Sequence, residues 1–439
     1  MAFPTHIHTV YSQLDGIIKM PKLVKKCKEL GYTACSITDH GGISGAFDFI
    51  QECLKQEIKP IVGSEFYVCR DHSFIKNEDN RKLAHMVLLA KNKSGYFELV
   101  KLTSLANKVD SYYYKPRLSL NEIKQYCSNL VAFSGHPGSV VGNALCGSDL
   151  LSCTSLDEGY ALLDQNRLDA ARDEIRALQS VFGENLYLEI QLFYTDGGPG
   201  FICLAETLRK LGKELGVKCI ACMDAHYLDK CDAKIQRIAL CSSLKLKIKE
   251  ISEKIAAGEQ VPLESFFTSD TFYLLGQQEL LDVGNTQEEI DNLTDIENSC
   301  EAYSLNHPPR LPKFSNDGND YETLVKLCRD GWTKRINNTW DKQIYGDRVK
   351  KELKVIKRTD LSPYFLIIAD YVNYMKNKGW LVGSGRGSIS GSLVAYLLAI
   401  SEIDSIKYDL VFERFFNPGR CYSKHISFDE YKYLEDFVE

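Results

Sequence analysis

The sequence predicts an α/β domain of barrel type over residues 1–270, on two observations. Seven β-rich runs alternate with helical patterns, and histidines gather at the ends of those runs. The runs are PTHIHTV, YTACSIT, KPIVGSEFYV, HMVLLA, LVAFSG, LYLEIQ and VKCIACMD. The clearest helix between them uses Leu168, Ala171, Ile175 and Leu178, spaced 3, 4 and 3, with Gly183 as its stop. A doubly wound open sheet is the alternative arrangement of the same elements.

The chain has 439 residues, enough for two or three domains at roughly 150 residues each. It is 44% hydrophobic and 26% charged, a balance that suits a soluble globular protein with sizeable cores. No run of apolar residues reaches the length of a membrane span. The N-terminus has no basic segment followed by an apolar stretch, so no signal peptide is expected. The 15 cysteines are therefore expected to be reduced thiols of a cytoplasmic protein. Cys219 and Cys222 form a CxxC inside a strand, where positions three apart face opposite ways, and this argues against zinc there. A net charge of −6 argues against a basic wrapper of nucleic acid but allows a DNA enzyme whose charge is segregated between domains. Lys350, Lys351 and the basic stretch 354–358 read as a solvated helix face.

The histidines carry the chemistry. His6 and His8 alternate in the first strand and share a face. His40 follows SITD, His85 opens HMVLLA, His136 follows FSG and His226 follows CMDA. Glu65 lies in the third strand, Asp224 two residues before His226, and Asp15 closes the first loop. In a parallel barrel the strand C-termini share one mouth, so these side chains would converge there. Imidazoles and carboxylates suit zinc, manganese or iron. Nine such groups exceed the needs of one tetrahedral ion. Two or three ions roughly 3.5–4 Å apart would use them, in the arrangement that hydrolyses phosphoesters.

The motifs HIHTVYSQLDG, SITDHGGISG, PIVGSEFYV, HMVLLA, SGHPGSVVGNAL and CMDAHYL resemble those of the PHP family (polymerase and histidinol phosphatase). The resemblance implies a distorted seven-stranded barrel holding up to three metal ions. Its ligand positions fall on His6, His8, Asp15, His40, Glu65, His85, His136, Asp224 and His226, all of liganding type. It implies a metal-dependent phosphoesterase, with 3′–5′ exonuclease action as one outcome. Asp39 is assigned a supporting role behind the ligands.

The remainder resembles bacterial DNA polymerase III alpha subunits. TFYLLGQQELLD, NLTDIENSCEAYSL and PPRLPKF are similar to the connector after the PHP domain, placed at 271–345. DRVKKELKVIKRTDLSPYFLIIADYV, GWLVGSGRGSISGSLVAYLLAI and DLVFERFFNP are similar to a polymerase palm, here a partial α+β unit at 346–420. The Gly- and Ser-rich loop opens an apolar helix, whose backbone N–H groups and dipole favour phosphate. The resemblance implies nucleotide binding through Arg386, Gly387, Ser388 and Arg414. It also implies magnesium for polymerisation, with primer–template DNA, dNTPs, a sliding clamp and other replisome subunits as partners, and no membrane.

After NPGR the sequence departs from that family. Paired aspartates are expected there, but the chain reads CYSKHISFDEYKYLEDFVE. Without them two-metal nucleotidyl transfer is incomplete. The tail 421–439 resembles the N-terminal fragment of a split intein, with Cys421 as nucleophile and the later intein histidine supplied by a partner. Three functions stay open: a polymerase portion needing a C-terminal polypeptide, a stand-alone phosphoesterase with a DNA-docking palm remnant, and an inactive truncated product.

Overall fold

The computed structural model describes residues 3–69, 83–147, 149–192, 198–259, 261–307, 311–316, 318–337 and 339–417. Cys421 and the rest of the tail therefore lie outside the described residues. Two compact units emerge, Met1–Asn306 and His307–Glu439.

In the first unit all seven β-rich runs form strands. The strands are β1 (His6–Ile7), β2 (Ala34–Ile37), β3 (Lys59–Cys69), β4 (Ala84–Ala90), β5 (Tyr112–Tyr113), β6 (Lys115–Pro116), β7 (Leu118–Ser119), β8 (Leu130–Ser134), β9 (Leu186–Ile190), β10 (Lys218–Ala221) and β11 (Asp224–Ala225). The main sheet runs β10-β9-β8-β4-β3-β2, with β7 also paired to β3. β1 pairs in parallel with β11, which puts His6 opposite Asp224. The Ile7 carbonyl also accepts from the Thr38 N–H at the end of β2, at 2.9 Å. β1 thus lies between one edge of the sheet and the strand that continues from β10.

The sheet is mixed, which corrects the expectation of a parallel barrel with all ligands at strand C-termini. β4 runs antiparallel to both β3 and β8. Its beginning, not its end, therefore reaches the shared mouth. His85, its second residue, pairs with Tyr67 of β3 and bridges Ser139 just past β8.

Helices cover the sheet because their apolar residues recur at helical spacing. Met20–Glu29 buries Met20, Leu23, Val24 and Cys27. Ala46–Lys55 buries Ala46, Phe49, Ile50 and Cys53. The helix read from Leu168, Ala171, Ile175 and Leu178 spans Gln165–Phe182. Asp164 caps its first turn by accepting from the Arg167 N–H. Gly183 ends it at φ 56°, a conformation that costs glycine little. Cys219 and Cys222 point apart: Cys219 approaches the Leu208 carbonyl and Cys222 approaches Glu189.

The second unit is helical in its described residues, where a mixed α+β palm was expected over 346–420. Its long helices are Asp320–Arg335, Lys342–Arg358 and Ser362–Asn377. Their buried residues, such as Phe365, Leu366, Ala369 and Val372, repeat at helical intervals. The Gly-rich loop also differs from its reading. A short 3-10 turn, Gly387–Gly391, precedes the five-residue helix Leu393–Leu397. That helix start holds no free donors for a phosphate. The fully buried Glu352 carboxylate accepts from the N–H groups of Leu393 and Val394 at 2.9 and 3.0 Å, and from the Ser392 hydroxyl at 2.8 Å. Arg348 donates to the same carboxylate at 2.7 Å. Arg386, Gly387, Ser388 and Arg414 are all exposed.

Candidate metal centre

The nine residues singled out in the sequence come together in the first unit. Glu65 is their hub. Its carboxylate lies 3.6 Å from His6 Nε2, 3.6 Å from His8 Nε2, 2.6 Å from His40 Nδ1, 2.8 Å from His85 Nδ1 and 3.2 Å from His136 Nε2. Asp224 Oδ1 lies 3.7 Å from His6 Nε2 and 3.3 Å from His8 Nε2. Asp15 lies 3.1 Å from His40 Nε2 and 3.6 Å from His226 Nε2. Each of three smaller groupings, His8–His40–His226, His6–His8–Asp224 and His40–Glu65–His85, has donor atoms within 4.8 Å of one another.

These residues fit metal ions. His6 Nε2, His8 Nε2, His40 Nδ1, His136 Nε2, Glu65 Oε2 and Asp224 Oδ1 are buried without a hydrogen-bond partner. His40 Nδ1 and Glu65 Oε2 are close, yet not aligned to bond. Buried polar atoms are rarely left unsatisfied, because each costs about 1–3 kcal/mol. A cluster of them aimed at one point suits cations.

The outward nitrogens are held by second partners, which leaves the inward ones available. His6 Nδ1 meets Glu189 Oε1 at 2.7 Å. His8 Nδ1 meets Ser12 Oγ at 3.0 Å. Ser12 Oγ donates its only proton to Asp39 Oδ1 at 2.7 Å, so it must accept from His8. His8 therefore carries its proton on Nδ1 and keeps the Nε2 lone pair facing the centre. Asp39 also accepts from the Thr9 N–H at 2.7 Å and fixes the loop after β1. His226 Nδ1 lies 3.0 Å from the Asp224 carbonyl.

Burial and neighbouring charges act in opposite directions on most of these groups. Burial alone would lower the basicity of His40, but Glu65 and Asp15 raise its pKa to about 10. Burial would likewise lower His6, but Glu189 and Asp224 raise it well above the ordinary value. Burial, with neighbouring His40 and His226, pushes His8 down to about 3. Burial tends to raise the Asp15 carboxyl, but His226 and His40 hold it down to about 2. Burial also opposes ionisation of Glu65, yet His85 and His40 hold it well below its usual range.

Glu189 is the main residue that sequence reasoning missed. It is fully buried, with Gln191 Nε2 donating to it at 2.9 Å and Cys222 Sγ 2.8 Å away. An ionisable residue between Leu188 and Ile190 in the buried strand LYLEIQ was the available signal. Glu189→Ala is expected to weaken metal binding about 10–100-fold, the usual effect of losing a partner behind a liganding histidine. Competition with a chelator measures it; unchanged affinity would remove Glu189 from the centre.

The cluster forms the floor of an open cleft of about 1030 Å³ whose walls include Tyr11, Tyr67, Lys115, Gln191, Leu263 and Phe266.

Comparison with known proteins places this geometry. Residues 4–192 match the PHP domain family and residues 322–429 match the bacterial DNA polymerase III alpha NTPase domain. The chain is 33% identical over 426 residues to a DNA polymerase III subunit alpha of Borreliella burgdorferi, covering 94% of this chain and 34% of that protein. It is 32% identical over 445 residues to the subunit of Helicobacter pylori, covering 97% of this chain and 35% of that protein. With the Aquifex aeolicus subunit it shares 32% identity over 438 residues, or 97% of this chain and 36% of that one. The chain thus spans about a third of the length of the curated relatives it matches.

Proposed function

We propose that the chain, which is similar to bacterial DNA polymerase III alpha subunits over about a third of their length, supplies the metal-dependent phosphoesterase domain and palm entry of a replicative DNA polymerase. The phosphoesterase part rests on one observation: nine liganding side chains converge, and His6, His8, His40, Glu65, His136 and Asp224 each turn a buried donor atom without a hydrogen-bond partner into the cluster.

His6, His8, Asp15, His40, Glu65, His85, His136, Asp224 and His226 would hold two or three ions of zinc, manganese or iron type. When bound, such ions supply Lewis acidity and an activated water nucleophile. The chain's own residues do the rest. Glu65 fixes five imidazoles about one carboxylate. Ser12, Asp39 and Glu189 set which nitrogen of His8 and His6 faces inward. The open cleft admits a phosphodiester, and a 3′ end of DNA is the substrate class that suits a polymerase context.

DNA-templated synthesis belongs to the completed polymerase. The palm carboxylates and their magnesium are proposed to come with a C-terminal polymerase polypeptide. Cys421 is the residue through which an intein would join the two. Arg386, Gly387, Ser388 and Arg414 are the proposed contacts to the dNTP triphosphate, through their exposed side chains and loop backbone rather than the Leu393 helix start. Primer–template DNA, the sliding clamp and other replisome subunits are the proposed partners, in the cytoplasm.

The test uses the full chain. With manganese or zinc it is expected to hydrolyse bis(4-nitrophenyl) phosphate and single-stranded DNA ends, and to incorporate no nucleotide in primer extension. Metal loading is expected to fall about tenfold or more between pH 8 and pH 5, since imidazoles must lose protons to bind. No hydrolysis by fully loaded protein would reject the phosphoesterase reading, and extension by the chain alone would reject the split polymerase.

A further inference from the structure

Beside the cleft stands a small hairpin that the metal centre does not use. β5 and β6 pair antiparallel, with Tyr112 opposite Pro116 and Tyr113 opposite Lys115. Tyr114 makes the turn at φ 60°. Tyr112 and Tyr114 remain 45% and 63% exposed; Tyr112 pairs with Pro116 and Tyr114 precedes Lys115, the two hairpin residues that line the cleft. The hairpin is anchored to the metal-bearing strand. β7 follows directly and pairs with β3, Val68 opposite Leu118. Arg117 is buried, donates to the Tyr113 carbonyl and stacks its guanidinium over the Tyr113 ring at 5.2 Å. Gly41, next to His40, sits at φ 61°, and a Cβ there would lie 3.0 Å from the Pro116 ring. The hairpin therefore packs directly against a ligand loop.

Lys115 gives the hairpin its chemistry. It is the one lysine or arginine among the described residues lining the cleft. Its ammonium lies 5.2 Å from the centre of the Tyr67 ring, and no carboxylate among the described residues pairs with it. Tyr67 in turn lies 5.0 Å from the His85 ring, centre to centre. A cation held on an aromatic face at the rim of an otherwise acidic and histidine-rich cleft suits a polyanionic backbone. Exposed rings beside such a cation are the combination that grips single-stranded nucleic acid, with bases stacking and phosphates on the charge.

We propose that the Tyr112–Pro116 hairpin is the substrate-gripping element of this cleft: Lys115 takes a backbone phosphate of a single strand while Tyr112 and Tyr114 stack its unpaired bases. This rests on the reading of the cleft as a phosphodiesterase. It assigns the preference for a nucleic-acid strand over a small phosphoester to residues outside the metal centre.

The test is a deoxyoligonucleotide carrying 2-aminopurine at its 3′ end, added to the full chain under chelation so that nothing turns over. Stacking on tyrosine is expected to quench the probe. Tyr112→Ala with Tyr114→Ala is expected to abolish the quench and weaken binding about tenfold. Lys115→Ala should weaken binding and flatten its dependence on salt. An oligonucleotide abasic at the same end should bind the wild type no better than the intact one binds the double variant. Hairpin variants with wild-type metal content and melting temperature report on gripping rather than folding. No quench in the wild type, or a quench unchanged in the double variant, overturns the proposal. Failure of the phosphodiesterase reading shows separately, as absent hydrolysis of bis(4-nitrophenyl) phosphate by the metal-loaded wild type.

Discussion

Replacing His8 and Asp224 together by alanine is expected to leave fewer than one transition-metal ion per chain and to cut phosphodiester hydrolysis at least about 100-fold. The two donors face each other at 3.3 Å, and His8 also approaches Glu65 while Asp224 also approaches His6. Loss of direct ligands must cost more than the 10–100-fold seen for partners one step removed. Stability of the metal-loaded protein should fall as well, since metal affinity for the folded state is folding free energy. Elemental analysis and thermal unfolding read both effects. A double variant that keeps its ions and its activity would remove His8 and Asp224 from the ligand set.

The second large effect lies in the other unit. Glu352→Ala is expected to destabilise it by about 3–5 kcal/mol, the range found when one partner of a buried ion pair is removed. Glu352 caps the helix Leu393–Leu397 and holds Arg348, whose guanidinium also donates to the carbonyls of Gly391 and Leu410 at 2.7 and 2.9 Å. Its removal orphans two backbone donors and a cation at once. Burial raises the Glu352 carboxyl pKa, while the N–H groups of Leu393 and Val394 and the Arg348 charge oppose this. Glu352→Gln keeps the cap oxygen and is therefore expected to lose less than alanine. Denaturant unfolding of the full chain measures both; an alanine variant within about 0.5 kcal/mol of wild type would contradict the assignment.

Much of the centre was legible because period-two alternation and strand ends are local signals. His6 and His8 share a face by alternation alone, and each of the seven β-rich runs formed a strand. What strand periodicity could not supply was strand direction. HMVLLA reads the same whether it runs with its neighbours or against them, so the antiparallel β4 was invisible, and only the register opposite β3 explains why His85 sits at a strand's beginning. Partners distant in sequence were equally hidden. Glu189 lies 183 positions from His6, and nothing local marks them as a pair. In the second unit, GSGRGSISGS correctly announced a loop before an apolar helix. The residue that occupies that helix start, Glu352, lies about 40 positions earlier on an unremarkable lysine-rich helix. A motif read in isolation cannot show that its donors are already taken.

Metal stoichiometry of the wild-type chain tests the central claim most directly. Protein purified without chelators and dialysed mildly is expected to hold two or three transition-metal ions per chain, and to regain them from zinc or manganese after stripping. Less than one ion per chain, with no recovery on adding either metal, would contradict a metal centre built from these nine residues.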